Sequence, residues 1–178
     1  MEELYLYEVK VPKDRIPVLI GKEGSIKKKL QDESGSIIDI DEDGIVTIKG
    51  DDAIQLYTSY QIVRAIARGF NPEIAFNLFK QDYVLEIISL RDVVGQNQKQ
   101  LERVRSRLIG AKGKSRRVLE ELTQCYICVY GKTVSVIGDS EDIVYAHQAI
   151  SMLVGGAMHR TVYKYLEKAM KERHIQSM

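Results

Sequence analysis

The sequence predicts an α+β protein built from two copies of one small unit. Each copy is a three-stranded antiparallel sheet packed on three helices, in the order strand, helix, helix, strand, strand, helix. Three observations carry this reading. Leu19-Ile20-Gly21-Lys22-Glu23-Gly24 and Leu108-Ile109-Gly110-Ala111-Lys112-Gly113 both read L-I-G-x-x-G, and nowhere else do two of the thirteen glycines stand three apart. At the same offset of 89 (110 − 21), Leu30 falls on Leu119, Ile38 on Ile127 and Ile40 on Val129. After a one-residue difference in the next turn, Ile45 to Asp51 lines up with Thr133 to Asp139. A repeat of this length is a duplicated domain and is too long for a solenoid.

In the first copy, residues 4–11 (LYLYEVKV) alternate, are rich in β-formers and stop at Pro12, so they predict a strand. Asp14 is placed to cap a short helix ending at Ile20, with Pro17 in its first turn, where a missing N–H costs little. After the glycine loop, Ser25 to Ser34 reads as a helix with Ile26 and Leu30 inward and Lys27 and Lys28 outward, stopped by Gly35. Ser36 to Asp41 and Ile45 to Gly50 form a hairpin across Asp43-Gly44. Asp51-Asp52 caps a helix to about Arg68. A connector follows, with Pro72 opening a short helix that must bury Ile74, Leu78 and Phe79.

The second copy begins with the strand Tyr83 to Ile88. A longer helix, about Asn97 to Ile109, turns Leu101, Val104 and Leu108 inward and Lys99, Arg103 and Arg107 outward. Past the loop, Lys114 to Thr123 is helical, with Val118, Leu119 and Leu122 inward. Cys125 to Tyr130 and Thr133 to Gly138 pair across Gly131-Lys132, and Asp139-Ser140 caps a third helix bearing Ile143, Ala146, Ile150 and Leu153. A last amphipathic helix, His159 to about Arg173, has Val162, Tyr165 and Leu166 to dock on the core. The expected domains are 1–80, with the connector helix, and 81–178, with the C-terminal helix.

Bulk composition narrows the function. With 44% hydrophobic residues the chain can fill two small cores. It has no apolar run long enough to span a membrane and an acidic rather than signal-like start, so a cytoplasmic protein with no membrane partner is expected. Net charge is only +1, but residues 1–90 hold 11 Lys+Arg against 16 Asp+Glu, and the remainder hold 15 against 9. Eight basic residues and one acid lie between Lys99 and Arg117, around the second loop. Cys125 and Cys128 form a C-x-x-C inside a strand pattern with no second pair, which favours small half-buried residues over a metal or redox site. Nothing calls for a metal, a cofactor or an enzyme's catalytic residues.

Glycines let a backbone come close to a sugar-phosphate chain, and each loop feeds the N-terminus of a helix, whose free N–H groups and dipole favour phosphate. The candidate RNA-binding residues are Gly21, Lys22, Glu23, Gly24, Lys27 and Lys28 in the first copy. In the second they are Arg103, Arg107, Gly110, Ala111, Lys112, Gly113, Lys114, Arg116 and Arg117. Gly113-Lys114-Ser115 resembles the end of a Walker A loop, but Leu108 stands where its first glycine is needed. A helix-turn-helix explains either loop but not the strand pair that follows it.

On these loops and their flanking elements, both copies resemble type I KH domains, the module that clamps about four nucleotides of a single strand. The whole chain resembles the archaeal members of the Partner of Nob-one family of ribosome-assembly factors and the related Krr-type factors. Ala65-Ile66-Ala67-Arg68-Gly69-Phe70, Asp82-Tyr83-Val84-Leu85-Glu86, Arg103-Val104-Arg105-Ser106-Arg107, Tyr130-Gly131-Lys132-Thr133 and Thr161-Val162-Tyr163 carry that narrower resemblance. It implies a non-enzymatic factor that binds small-subunit ribosomal RNA near its 3′ end beside the Nob-type endonuclease. Eukaryotic relatives tend to have a degraded first glycine loop, whereas Gly21 and Gly24 are both present here. The alternative is a KH-fold scaffold that binds protein through its third helices and has little direct contact with RNA.

Overall fold

The computed structural model describes residues 4–178. The described residues divide into two compact units, 4–81 and 82–178. In the first, strand β1 (Tyr5–Lys10) leads to helices α1 (Ile16–Ile20) and α2 (Ser25–Ser34), strands β2 (Ile37–Ile40) and β3 (Ile45–Gly50), and helix α3 (Ala53–Ala67). The sheet order is β1-β3-β2, all antiparallel. Period-2 alternation puts Ile38, Val46 and Ile48 against the helices and leaves Ile37 outward. Leu19, Leu30, Leu56, Ile62 and Ile66 fill the space above them.

The second unit repeats the plan with β4 (Tyr83–Ser89), α6 (Gln98–Ile109), α7 (Lys114–Thr123), β5 (Tyr126–Tyr130), β6 (Thr133–Asp139) and α8 (Ile143–Val154), in sheet order β4-β6-β5. Between β4 and α6 a short helix, α5 (Arg91–Val94), is an element that the periodicity did not announce. The C-terminal helix α9 (His159–Gln176) packs on α7 and α8 with Val162 and Leu166 fully buried and Tyr165 half-buried. Each of the two buried side chains contributes roughly 1.5–3 kcal/mol. Arg173 secures the far end of α9, its guanidinium 2.7 Å from the Asp142 carboxylate and 3.2 Å from Glu141. Burial nevertheless holds the Asp142 carboxyl above its ordinary range.

The repetition extends to hydrogen bonds. Gln31 Oε1 accepts from the Ile38 N–H at 2.8 Å, and 89 residues later Glu120 Oε1 accepts from Ile127 at 2.8 Å. Ser34 and Thr123 each donate a hydroxyl back to the carbonyl four residues earlier. Gly35 ends α2 in the left-handed conformation, as its sequence position predicts, while Gln124 adopts the same conformation after α7 (φ 56°) without a glycine's freedom.

Two expected caps resolve differently. Arg15, not Asp14, occupies the N-cap of α1 and makes no side-chain cap bond, because residues 13–15 form a turn of their own on the Pro12 carbonyl. Asp142, not Asp139 or Ser140, precedes α8, and Asp139 instead accepts from the Glu141 N–H within the turn. Asp52 and Asn97 do cap α3 and α6 through their side chains. The connector helix α4 (Pro72–Ala75) tightens into a 3-10 turn over Phe76–Phe79. With three residues per turn, its buried face becomes Pro72, Ala75 and Leu78, and Ile74 and Phe79 are only half-buried.

Each glycine loop, Lys22–Gly24 and Ala111–Gly113, is a single tight turn with a left-handed residue at its centre, closed by the second glycine's N–H on the first glycine's carbonyl. Their backbones match closely: Gly21 (φ 75°, ψ 175°) and Gly110 (φ 73°, ψ 173°), Glu23 (φ 54°) and Lys112 (φ 52°), Gly24 (φ 76°) and Gly113 (φ 74°). The two glycines of a pair do different work. A Cβ on Gly110 would lie 2.7 Å from the Ser115 backbone nitrogen, and one on Gly21 2.8 Å from that of Ile26. A Cβ on Gly24 would meet nothing, and one on Gly113 only the tip of Arg117 at 3.3 Å. The first glycine therefore packs the turn onto the helix it starts, and the second faces open space. Gly110→Ala combines a backbone clash with a φ/ψ region essentially confined to glycine and is expected to cost about 3 kcal/mol or more. Gly113→Ala has only the left-handed conformation to bear, at about 1–2 kcal/mol. Urea unfolding of the two variants checks the order, and equal losses would show that the close approach is not what the first glycine is for.

Candidate nucleic-acid interface

The interface is assembled from the end of one helix, the loop and the start of the next. Neither α2 nor α7 has a side chain capping its N-terminus, since Gly24 and Gly113 hold the cap positions. The first-turn N–H groups, which have no partner within the helix, gain none from a side chain, and the positive end of the helix dipole meets the open face of the second glycine. Such an end favours a phosphate oxygen over a neutral group.

The charges differ sharply between the two copies. In the first loop Lys22 and Glu23 are both exposed side by side and cancel, while Lys28 is exposed and Lys27 half-buried. The neighbouring Lys29 is engaged by Glu33 at 3.8 Å and lies 4.6 Å over the Phe76 ring. In the second loop Ala111, Lys112 and Lys114 are exposed with no acid between them. Arg117 donates to the Lys112 carbonyl at 2.7 Å, bracing the loop from the helix it opens. Arg116 lies 3.5 Å from Glu120, whose carboxylate is also held by the Ile127 N–H. Arg103 is exposed on α6, seven residues before Gly110 and so about 10 Å along the helix axis.

Arg107 departs from its expected place on the outer face of α6. It is half-buried, and its guanidinium donates to the Leu153 carbonyl at 3.3 Å and to that of Ala157, at the end of α8. Those carbonyls have no partner within the helix, and a cation there is favoured by both hydrogen bonding and the dipole. The first unit contains the same clamp, which the periodicity did not reveal. Arg15 donates to the Ile66 and Phe70 carbonyls at 2.8 Å each, at the end of α3. The structure thus brings Lys112, Lys114, Arg116 and Arg117 together at the second loop and assigns Arg107 to holding the fold.

The competing chemistries find no geometry among the described residues. The Ser115 hydroxyl, which a Walker A loop would offer to a metal-bound nucleotide, is buried. The Cys125 thiol is buried beneath Gly138, and desolvation pushes its pKa up to about 12, so it carries no thiolate at neutral pH. Cys128 is half-buried, neither cysteine is in a disulfide, and no group of three or more metal-ligating side chains is found among the described residues. No helix of the described residues is long and apolar enough to cross a membrane.

Comparison with known proteins agrees with this architecture. Residues 84–171 match the model of the second KH domain of Partner of Nob-one, described as a eukaryotic-type, type I KH domain, and residues 6–62 match the general KH-domain model. A KH domain-containing protein of Methanocaldococcus jannaschii is 45% identical over 164 residues, covering 90% of this chain and 72% of the relative. A crystal structure of a protein of unknown function from Aeropyrum pernix superposes with a TM-score of 0.94 at 37% identity, covering 98% of this chain and 95% of that one. Dim2p of Pyrococcus horikoshii, solved in a complex of a/eIF2alpha, aDim2p and rRNA, superposes at 0.89 with 42% identity, covering 95% and 96%. With two glycine loops of matching backbone geometry on two β-α-α-β-β-α units, the chain belongs to the KH-domain family, as a tandem type I KH protein of the archaeal Dim2p, or Partner of Nob-one, kind.

Proposed function

We propose that this protein is a ribosome-assembly factor that binds single-stranded RNA, and that the second glycine loop is its principal contact. The observation that carries the reading is the second loop itself: an uncapped helix N-terminus, a glycine facing open space, and exposed Lys112 and Lys114 with no acid between the glycines. The target is small-subunit ribosomal RNA near its 3′ end, a reading supported by the rRNA-bound Pyrococcus relative. The protein acts as a binder and not as an enzyme, in the cytoplasm, with a Nob-type endonuclease and other assembly factors as partners. The first loop, with Lys22 beside Glu23, contributes less because its charge cancels. Residues 1–80 and 81–178 serve as two reading domains, with Gly21, Gly24, Lys27 and Lys28 forming the lesser contact and Arg103, Lys112, Lys114, Arg116 and Arg117 the greater.

Each exposed charge near a phosphate is worth only about 1 kcal/mol in water, so affinity must come from several acting together. If four to six phosphates of a single strand are contacted, log K falls against log[salt] with a slope of about −3 to −4. Titration of a single-stranded fragment of the small-subunit 3′ end at several salt concentrations measures it, and a slope near zero would remove the electrostatic reading. Ala111→Asp with Lys112→Asp places two negative charges beside the uncapped helix end without touching a glycine or the core. Binding is expected to fall below detection with thermal stability intact, whereas Lys22→Asp costs several-fold at most. Equal losses at the two loops would reverse the assignment, and no loss at the second would end it.

A further inference from the structure

The outer edge of β1 and the flank of α3 beside it form a groove in the first unit, separate from the glycine loop. β1 lies at the edge of its sheet. The Val11 N–H bonds to the Gly44 carbonyl, and Val11 continues the β1–β3 register, so by alternation residues 5, 7 and 9 bond to β3. The backbone N–H and C=O groups of Leu6, Glu8 and Lys10 then point to the free edge. Large apolar side chains stand exposed along one end of this edge: Leu6 at 53%, Ile54 at 77% and Tyr57 at 49%. In the middle, Tyr7 and Tyr60 stack with ring centroids 4.5 Å apart, and Tyr57 lies about 6 Å from both. Beyond them a recess of about 240 Å³ opens between β1 and α3, lined by Glu8, Tyr60, Arg64 and Arg68. Arg64 lies 5.4 Å over the Tyr60 ring, and the Arg68 guanidinium has no hydrogen-bond or ion-pair partner among the described residues.

The second unit acts as an internal control. The clamped carbonyls of Ile66 and Leu153 set the register of the two third helices at an offset of 87 (153 − 66). On that register Tyr60 corresponds to His147, Arg64 to Ser151, Arg68 to Gly155 and Ile54 to Glu141. The partners of Gly50 and Gly138 in the two sheets, Tyr5 and Val84, align Tyr7 with Glu86. Where the first unit has an aromatic stack, the second has a Glu86–His147 hydrogen bond at 2.5 Å, and the two arginines are absent. The fold therefore does not require the apolar and cationic edge of the first unit.

We propose that this edge receives an extended segment of a partner protein as a fourth strand on β1, with alternating apolar side chains over Ile54 and the tyrosines on the α3 side and carboxylates at Arg64 and Arg68. Strand addition is the way a free edge satisfies its outward backbone groups, and the adjoining groove selects the side chains. The electrostatics favour a peptide over a nucleic acid, because Asp51 and Asp52 stand at the start of α3, at the apolar end, where a phosphate backbone would be repelled. Arg64 and Arg68 lie at the other end, and Lys49, across from Leu6 on β3, is engaged by Asp39 at 3.8 Å. Lys10 does not add to the two arginines freely, since its ammonium is bonded to the Asp43 carbonyl.

The test pans a displayed library of random twelve-residue peptides on the intact chain and measures the enriched peptides by fluorescence anisotropy. Enriched sequences should alternate apolar residues and end in two or more acids. Glu8→Pro removes one outward N–H without touching a bond to β3, a position where an edge strand tolerates proline, and should weaken binding at least tenfold. Glu8→Ala keeps the N–H and should bind like the parent. Arg64→Glu with Arg68→Glu should also lose at least tenfold, and none of these variants should change RNA affinity. The proposal is overturned if no peptide is enriched, or if the enriched peptides bind the arginine variant undiminished. It is equally overturned if the arginine variant weakens RNA binding instead, which would make the edge a nucleic-acid surface, or if sedimentation shows that the edge pairs with a second copy of the chain. Should Glu8→Pro fail to fold, as its melting curve would reveal, the arginine pair decides alone.

Discussion

The approach of a glycine α-carbon to the backbone of the helix it opens governs the binding face of each unit. At Gly110 a methyl group would fall 2.7 Å from the Ser115 nitrogen, and at Gly21 the counterpart distance, to Ile26, is 2.8 Å. That contact folds the chain back through a single tight turn and places the second glycine at the cap position of the helix, where it offers no side chain to cap it. Once the turn is fixed in this way, an outward-facing dipole end follows from the backbone alone. The side chains decide only how much charge accompanies it. Lys22 with Glu23 and Ala111 with Lys112 are two settings of the same device.

Much of this was legible in the sequence because it is written in spacing. The paired G-x-x-G loops, the apolar positions at matching offsets and the Asp-Gly hairpin each express a local rule, and the strands and helices form where those rules place them. Caps were less legible. Asp14 and Asp139 are good cap residues on propensity, yet the turns before α1 and α8 carry the chain one to three residues further before the helix begins, so other residues stand at the cap. The connector was misread on its face for a related reason: a 3-10 turn shifts the buried positions by changing the period.

Contacts between distant elements were not legible at all. Arg107 sits on a face that a helical wheel labels as outer, and only the position of the α8 terminus shows that its guanidinium has carbonyls to satisfy. Arg15 drew no notice because it belongs to no motif. The stack of Tyr7 on Tyr60 joins residues 53 apart (60 − 7), and neither strand nor helix periodicity carries information about such a pairing. The function-bearing loop was readable because it is continuous in the chain, whereas the clamps and the aromatic edge are assembled by the fold.

The two arginine clamps reach equivalent carbonyls from inequivalent places. Arg15 stands six residues before its first loop glycine (21 − 15) and Arg107 three before its own (110 − 107). The two halves therefore make the same contact from different positions in the chain, and the units are not interchangeable parts. Grafting only the turn and the helix after it from one half to the other would leave both clamps in register. Grafting the helix before the turn as well would carry the arginine out of phase with its carbonyls, stranding a cation and opening the end of the third helix. A chimera's seam thus belongs at the first loop glycine, after the arginine and before the charges that differ.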